Sequence, residues 1–243
     1  MLNTLKSGLR RQAFLPSPWA IIVNPVYLIR RGLFKTIGRV APTLTGDVLD
    51  FGCGSKPYEP LFTGAARYVG VDLAVSGHDH QDSKVDVFYD GRTLPFADAS
   101  FDAVVSFEVF EHVFNLPDVL REIRRVLKPG GRLLASLPFA WDEHEVPYDF
   151  ARYTSFGIRH VLEQAGFAVE RVDKTTSYVR AVGQMFSAYL VQHVLPGRGI
   201  AKRISQVLIV FPLHAWIVLW DAVLPRRDGY FSNCVVLARR PAG

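Results

Sequence analysis

The residues with the clearest chemical potential are Asp50, Gly52, Gly54 and Asp72. The stretch Asp47-Val48-Leu49-Asp50-Phe51-Gly52-Cys53-Gly54 reads as a buried strand that ends in an acidic residue and a tight glycine turn. Glycine has no Cβ and tolerates dihedrals that other residues avoid, so such a turn lets the backbone come close to a nucleotide-like ligand. Asp72 ends the next strand, Tyr68-Val69-Gly70-Val71-Asp72. A carboxylate about 20 residues after a glycine turn is where an α/β nucleotide fold accepts ribose hydroxyls. The third glycine of the dinucleotide fingerprint is absent, because Gly52-Cys53-Gly54-Ser55-Lys56-Pro57 puts a proline in its place. That argues against a pyrophosphate seated on a helix N-terminus and for a nucleoside without phosphates.

A second group of reactive side chains gathers in the run 138–154. His144, Glu145, Asp149 and Arg152 lie there among Trp141, Tyr148 and Tyr153. Histidine is the side chain best suited to take a proton near neutral pH, so His144 is the candidate general base. The competing reading is a structural histidine bonded to the loop backbone, with Asp149 and Arg152 paired to hold the loop. No metal site is expected, since His144, Glu145 and Asp149 follow no strong ligand spacing.

Short apolar strands are expected at 47–50, 68–72, 84–88, 103–107, 132–137 and 167–172, with a last strand at 230–238. Their alternation with helical patterns predicts an α/β fold with a mainly parallel sheet covered on both faces. The clearest helix is 117–128, where Val119, Leu120, Ile123, Val126 and Leu127 form one apolar stripe. Pro129-Gly130-Gly131 then turns the chain into the next strand. A further helix is expected from an N-cap at Ser155 to Gly166, and a basic, apolar helix over 25–40. Glu111 and His112 are read as opening the helix after the fourth strand, with Glu111 either a site residue or a partner for the helix dipole.

The ordered set Val48-Leu49-Asp50-Phe51-Gly52-Cys53-Gly54, Gly70-Val71-Asp72, Asp90 ahead of Leu94-Pro95-Phe96, Ser100-Phe101-Asp102, Glu111-His112-Val113 and Leu127-Lys128-Pro129-Gly130-Gly131 resembles class I S-adenosylmethionine-dependent methyltransferases of the small type-11 group. The resemblance covers about 45–175. It implies a Rossmann-like, doubly wound, seven-stranded sheet whose last strand is antiparallel. It also implies S-adenosylmethionine as cofactor. Gly52 and Gly54 would then supply backbone N–H groups and close approach to the methionine half, and Asp50 would orient the turn or meet the ammonium through water. Asp72 would take both ribose hydroxyls. Asp90 would reach the adenine amino group, with Asp86 its competitor, and Phe107 and Glu108 would line the methionine side. The resemblance divides the chain into an extension or cap at 1–44 and a methyltransferase domain at 45–243. The domain consists of a core at 45–178, an apolar helical insertion at 179–228 and a final strand at 229–240.

The run His144-Glu145-Val146-Pro147-Tyr148-Asp149-Phe150-Ala151-Arg152-Tyr153-Thr154 resembles bacterial enzymes that modify surface glycans or lipid-linked sugars. It implies methyl transfer to an oxygen of a small-molecule, sugar or lipid-linked acceptor. Two alternatives stand beside it: C-methylation of a quinone or other lipid, and a non-catalytic cofactor-binding regulator or subunit. The net charge of +5 permits contact with anionic surfaces, but no nucleic-acid module accompanies it. Two cysteines over 243 residues suit a reducing, cytoplasmic setting. Prolines at 16, 18 and 25 break the N-terminal uncharged stretch, so no signal peptide is expected. The uncharged run 204–220 falls short of the roughly 20 apolar residues that span a bilayer. It reads as a buried helical hairpin or a homo-oligomer contact, as an element lying at the inner face of the membrane, or, as the least favoured alternative, as a true span.

Overall fold

The computed structural model describes residues 12–74, 83–195 and 199–242. By its internal contacts the chain forms two compact units, one of residues 37–173 and 234–243 and the other of 1–36 and 174–233.

The first unit is built on a seven-stranded sheet in the order β3-β2-β1-β4-β5-β7-β6. The strands are β1 Gly46–Phe51, β2 Ala65–Leu73, β3 Val87–Tyr89, β4 Phe101–Phe107, β5 Leu127–Pro138, β6 Ala168–Lys174 and β7 Asn233–Arg239. Six run parallel and one near the C-terminus runs antiparallel, as the resemblance implied. β1 and β4 are fully apolar in their centres because both of their faces are covered, with Val48, Leu49, Val104 and Val105 wholly buried. The helix Leu116–Val126 buries Leu116, Leu120, Ile123 and Val126 on one stripe, as the sequence periodicity predicted. It ends earlier than expected. Leu127 already pairs with Phe101, and a register irregularity follows, so Gly130 and Gly131 lie inside β5 rather than ahead of it. The helix Ser155–Gln164 is capped by Thr154, whose hydroxyl accepts from the Gly157 N–H, and not by Ser155. Gly166 follows it at φ 81, the left-handed position that ends such helices.

The strand order fixes where a ligand can sit. The sheet grows from β1 outward through β2 and β3 on one side, and through β4 and β5 on the other. Helices on opposite faces leave a crevice at that reversal, outside the carboxyl ends of β1 and β4. Phe51 and Phe107 are the last residues of those two strands.

In the second unit, the helix Tyr178–Tyr189 packs against a continuous helix at Gly199–Val223, which contains one wider, π-type turn at Gln206–Val210. Gly183 lets them meet closely, since a Cβ there would lie 2.5 Å from Ile217 Cδ1. His214 is buried, with Nε2 2.9 Å from Ser187 Oγ, and burial pushes its imidazole down to about 4. Gln184, also buried, accepts from the Leu28 N–H at 3.2 Å and donates to the Pro25 carbonyl at 2.8 Å. The uncharged run is therefore not a buried hairpin. Only 17% of its most apolar window is buried, and the helix carrying it is 25 residues long. It is long and apolar enough to cross a membrane by those two measures, which the count of uncharged residues did not anticipate.

Candidate active site

The turn after β1 is shaped by hydrogen bonds to β2. The N–H groups of Gly52 and Cys53 both donate to the Val71 carbonyl, at 2.9 and 3.2 Å, and the Gly54 N–H donates to Asp72 Oδ2 at 2.9 Å. These donors are engaged with Val71 and Asp72 of β2. What the glycines supply is space and backbone freedom. Gly52 has φ 70 and a Cβ there would lie 2.6 Å from the Val109 methyls, while Gly54 has φ 46 and faces open space.

Asp50 is buried at the end of β1 and accepts from the Tyr68 hydroxyl at 2.7 Å. Burial pushes its carboxyl up to about 7, against the pull of the Tyr68 bond and the Lys56 charge. Tyr68 was not singled out from sequence. It lies opposite Val48 in the β1–β2 register, two residues before Asp50, and only that pairing brings it within reach. A carboxyl whose folded value exceeds the ordinary value of about 3.9 stabilises the fold below pH ~4 relative to higher pH, and that stability is lost as pH rises through 7. Urea denaturation should therefore show wild type losing a few kcal/mol relative to Asp50→Asn between pH 4 and 7, at up to about 1.4 kcal/mol per pH unit. Parallel pH dependences for the two proteins would remove Asp50 from this role.

Asp72 stands at the end of β2, nearly buried, and also accepts from the Leu73 N–H at 2.8 Å. Each of its oxygens holds one backbone donor and keeps a lone pair for another, since an ionised carboxylate has about four acceptor positions. Asp90 follows β3 directly and is exposed. Its Oδ1 accepts from the N–H groups of Arg92 and Thr93 at 2.9 and 3.2 Å, and these bonds hold its carboxyl below the ordinary range. Asp86 precedes β3, where it pairs with the buried Lys56 and accepts from the Gly70 N–H at 2.7 Å. Its charge is matched there, and it sits short of the carboxyl end that Asp90 follows.

Phe107 does not present an open ring. It packs against Tyr58 and Phe62, with ring centroids 4.9 and 6.2 Å away. Glu108 is held at φ 56, a left-handed conformation that costs a non-glycine residue about 1–3 kcal/mol. Ser136 on β5 secures it, with Oγ donating to Oε1 at 2.6 Å and the Ser136 carbonyl accepting the Glu108 N–H at 3.0 Å. The strain turns the chain sharply at the end of β4, into a short turn at Phe110–His112. The next α-helix starts only at Leu116, so Glu111 is not a helix-dipole partner.

Glu111 is completely buried, and neither carboxylate oxygen has a hydrogen-bond partner among the described residues. Burial, and then the nearby Glu108 charge, raise its carboxyl well above the usual range. Beside it, His112 places Nδ1 2.8 Å from the Tyr148 carbonyl, which makes Nδ1 the protonated nitrogen of the neutral ring. Nε2 is then turned to Glu111 and Glu145, 3.8 and 3.7 Å away. The His112 and His144 rings meet edge to face, 4.7 Å between centroids. The loop that carries His144 is tied to this turn by Phe150 and Ala151, whose N–H groups donate to the Glu111 carbonyl at 2.8 and 3.2 Å.

Asp149 organises His144. One oxygen accepts the His144 backbone N–H at 2.9 Å and lies 3.2 Å from its Nδ1, which also faces the Asp142 carbonyl at 3.2 Å. With two acceptors facing Nδ1, the proton of the neutral ring belongs there and Nε2 carries the lone pair. Arg152 grips Asp149 with two bonds of 2.5 and 2.6 Å and holds its carboxyl well below the usual range. The expected Asp149–Arg152 pair is thus present, and it aligns His144 rather than competing with it. Glu111, His112 and His144 each offer one ligand atom within 4.8 Å of the others, a constellation that sequence spacing alone did not suggest.

The family described as "Methyltransferase domain", type 11, matches residues 49–135. A protein of Mycolicibacterium smegmatis named "Probable S-adenosylmethionine-dependent methyltransferase" is 34% identical over 135 residues, covering 51% of this chain and 52% of its own. The malonyl-[acyl-carrier protein] O-methyltransferase of Erwinia pyrifoliae is 38% identical over 94 residues, covering 37% of this chain and 36% of its own. The chain thus spans about half or less of the length of these relatives. Among solved structures, the [4+2]-cyclase SpnF is similar in fold, with TM-score 0.55, 20% identity and coverage of 86% of this chain and 82% of its own. The residues present suit the family's cofactor: an open glycine turn at Gly54, a carboxylate at Asp72 with spare acceptor capacity, and Asp90 at the next strand end. Residues 49–135 thus match a type-11 methyltransferase domain, and the chain is similar there to S-adenosylmethionine-dependent methyltransferases.

Proposed function

We propose that the protein methylates a hydroxyl oxygen of a small-molecule, sugar or lipid-linked acceptor, with His144 as the base. The observation that carries this reading is the Asp149-aligned imidazole, whose Nε2 is left free of the bonds that orient Nδ1. When bound, S-adenosylmethionine supplies an electrophilic methyl group on a sulfonium, whose departure leaves a neutral thioether. Asp72 and Asp90 hold the nucleoside half. Asp50 and the glycine turn set the methionine end. In-line transfer gains mainly from such alignment. A hydroxyl nucleophile must also lose its proton, and His144 Nε2 takes it as the oxygen bonds to carbon. Asp149, kept ionised by Arg152, stabilises the resulting imidazolium. The O-methyltransferase among the relatives is consistent with an oxygen acceptor.

Glu111 favours a second reading. A buried carboxyl without a hydrogen bond, facing two imidazoles, fits a divalent cation that Glu111, His112 and His144 would hold, with the Tyr148 carbonyl orienting His112 from behind. His144 would then be a ligand and not the base. The two readings part on chelation: calorimetric titration with Mg²⁺, Mn²⁺ or Zn²⁺ and turnover in EDTA decide between them. The base reading stands if turnover survives EDTA. The overall proposal is tested by incubating the protein with S-adenosylmethionine and hydroxylated acceptors, glycan extracts and lipid extracts. S-adenosylhomocysteine should form together with an acceptor product one methylene heavier and methylated on oxygen. A product methylated on carbon supports the quinone-type alternative, and tight cofactor binding without product supports a non-catalytic subunit.

A further inference from the structure

Charge is divided unequally between the two compact units. The unit of 1–36 and 174–233 contains 13 lysines and arginines against 2 acids, while the remainder contains 15 against 21. A chain of net charge +5 is thus composed of a unit at +11 and a unit at −6. The two acids of the basic unit are engaged: Asp221 with Arg180 at 2.6 Å and with Ser177, and Asp228 with Lys174 at 3.7 Å. Among the described residues, no carboxylate pairs with Lys202, Arg203, Arg226 or Arg227.

The same unit exposes large apolar side chains. On the helix Gly199–Val223, the inward stripe is Val210, His214 and Ile217, and these are buried. Leu208, Trp216, Leu219 and Val223 recur at helical spacing on another side and are 58–68% exposed. Phe186, on the partner helix, and Trp19 are also more than half exposed. Large apolar side chains exposed in this number are more than scattered single residues and mark an interaction site.

We propose that this unit docks on an anionic lipid bilayer and lies in its interface, with Leu208, Trp216, Leu219 and Val223 entering the boundary between headgroups and acyl chains. Charge complementarity selects the occupant. A second copy of a +11 unit would be repelled across the same face. A nucleic acid would satisfy the charge, but would leave the aliphatic stripe against water. An anionic membrane surface satisfies both, and tryptophan is at home at that boundary. The placement of the basic pairs decides orientation. Lys202 and Arg203 sit in the opening turns of the helix, and Arg226 and Arg227 lie just past its end. Cations at both ends of an in-plane helix meet the same leaflet, whereas a spanning helix would divide them between two. The inner side opposes spanning as well, because His214 on that stripe meets Ser187, and Asp221 further along pairs with Arg180, both on the helix Tyr178–Tyr189. This inference goes beyond the methyl-transfer reading and does not depend on it.

The test uses the full chain and needs no turnover. Co-sedimentation with vesicles containing phosphatidylserine should exceed that with pure phosphatidylcholine at least tenfold, and should fall at least tenfold in 0.5 M salt. Brominated lipids should quench the tryptophan fluorescence, and Trp216→Phe should remove part of that quenching. Replacing Lys202, Arg203, Arg226 and Arg227 by glutamine should lower vesicle binding tenfold. S-adenosylhomocysteine affinity should be unchanged in that variant, which also reports that it is folded. Alkaline carbonate should release the protein from native membranes. Absence of vesicle binding, binding to heparin or oligonucleotides without lipid quenching, or resistance to carbonate extraction would each overturn the proposal. None of these outcomes alters S-adenosylhomocysteine formation, so failure here is distinguishable from failure of the methyltransferase reading.

Discussion

Asp72→Ala is expected to weaken S-adenosylmethionine and S-adenosylhomocysteine tens-fold to several-hundred-fold. Two charge-assisted bonds to ribose hydroxyls are worth about 2–4 kcal/mol together, which sets that range. The structure adds a second component. Asp72 Oδ2 also holds the Gly54 N–H, so the alanine variant frees a turn donor and loosens the cradle beneath the ligand. Asp72→Asn separates the two effects. It keeps an oxygen acceptor for Gly54 but loses the charge, so its affinity should fall between wild type and Asp72→Ala. Calorimetry on both variants measures this, with circular dichroism to confirm the fold. If Asp72→Ala binds like wild type, Asp72 is only a fastener of the turn.

His144→Ala is expected to lower kcat by about 10²–10⁴, the range for loss of a positioned base, with S-adenosylhomocysteine affinity near wild type. Cofactor affinity is the control because His144 is proposed to act on the acceptor. Asp149→Asn should act through His144. It removes the carboxylate that faces Nδ1, so it should reduce kcat while cofactor affinity stays near wild type. Arg152 would be left with a weaker partner, so thermal denaturation must accompany the kinetics. Retention of most of kcat at neutral pH by His144→Ala would make His144 a loop-holding residue.

Much of the fold was legible because its signals are local. Strand centres at β1, β2 and β4 follow from short apolar runs bounded by turns, and the stripe of Leu116–Val126 follows from helical periodicity. Gly52, Gly54 and Gly166 have positive φ, a property of the residue's own backbone that any sequence reading can use. Element ends were less legible. Leu127 left the helix because Phe101 offered it strand pairing, and Thr154 capped the next helix in place of Ser155. Those choices depend on partners distant in sequence.

The candidate site divides in the same way. Asp50, Asp72, Asp90 and His144 could be nominated from where they fall along the chain, since each follows or ends a strand or lies in a loop rich in polar and aromatic residues. Their circumstances could not. The burial that raises Asp50, the register that gives it Tyr68, and the use of the turn N–H groups by Val71 and Asp72 all arise from β1 lying beside β2. Glu111, His112 and His144 converge only because the loop folds back on the Phe110–His112 turn, and that same closure covers the Glu111 carboxyl. Composition recorded a net charge of +5 and an uncharged run. Tertiary structure decided that 13 of the 28 lysines and arginines belong to one unit with only two acids, and that the run's apolar side chains face outward, because burial and charge segregation depend on which distant segments fold together.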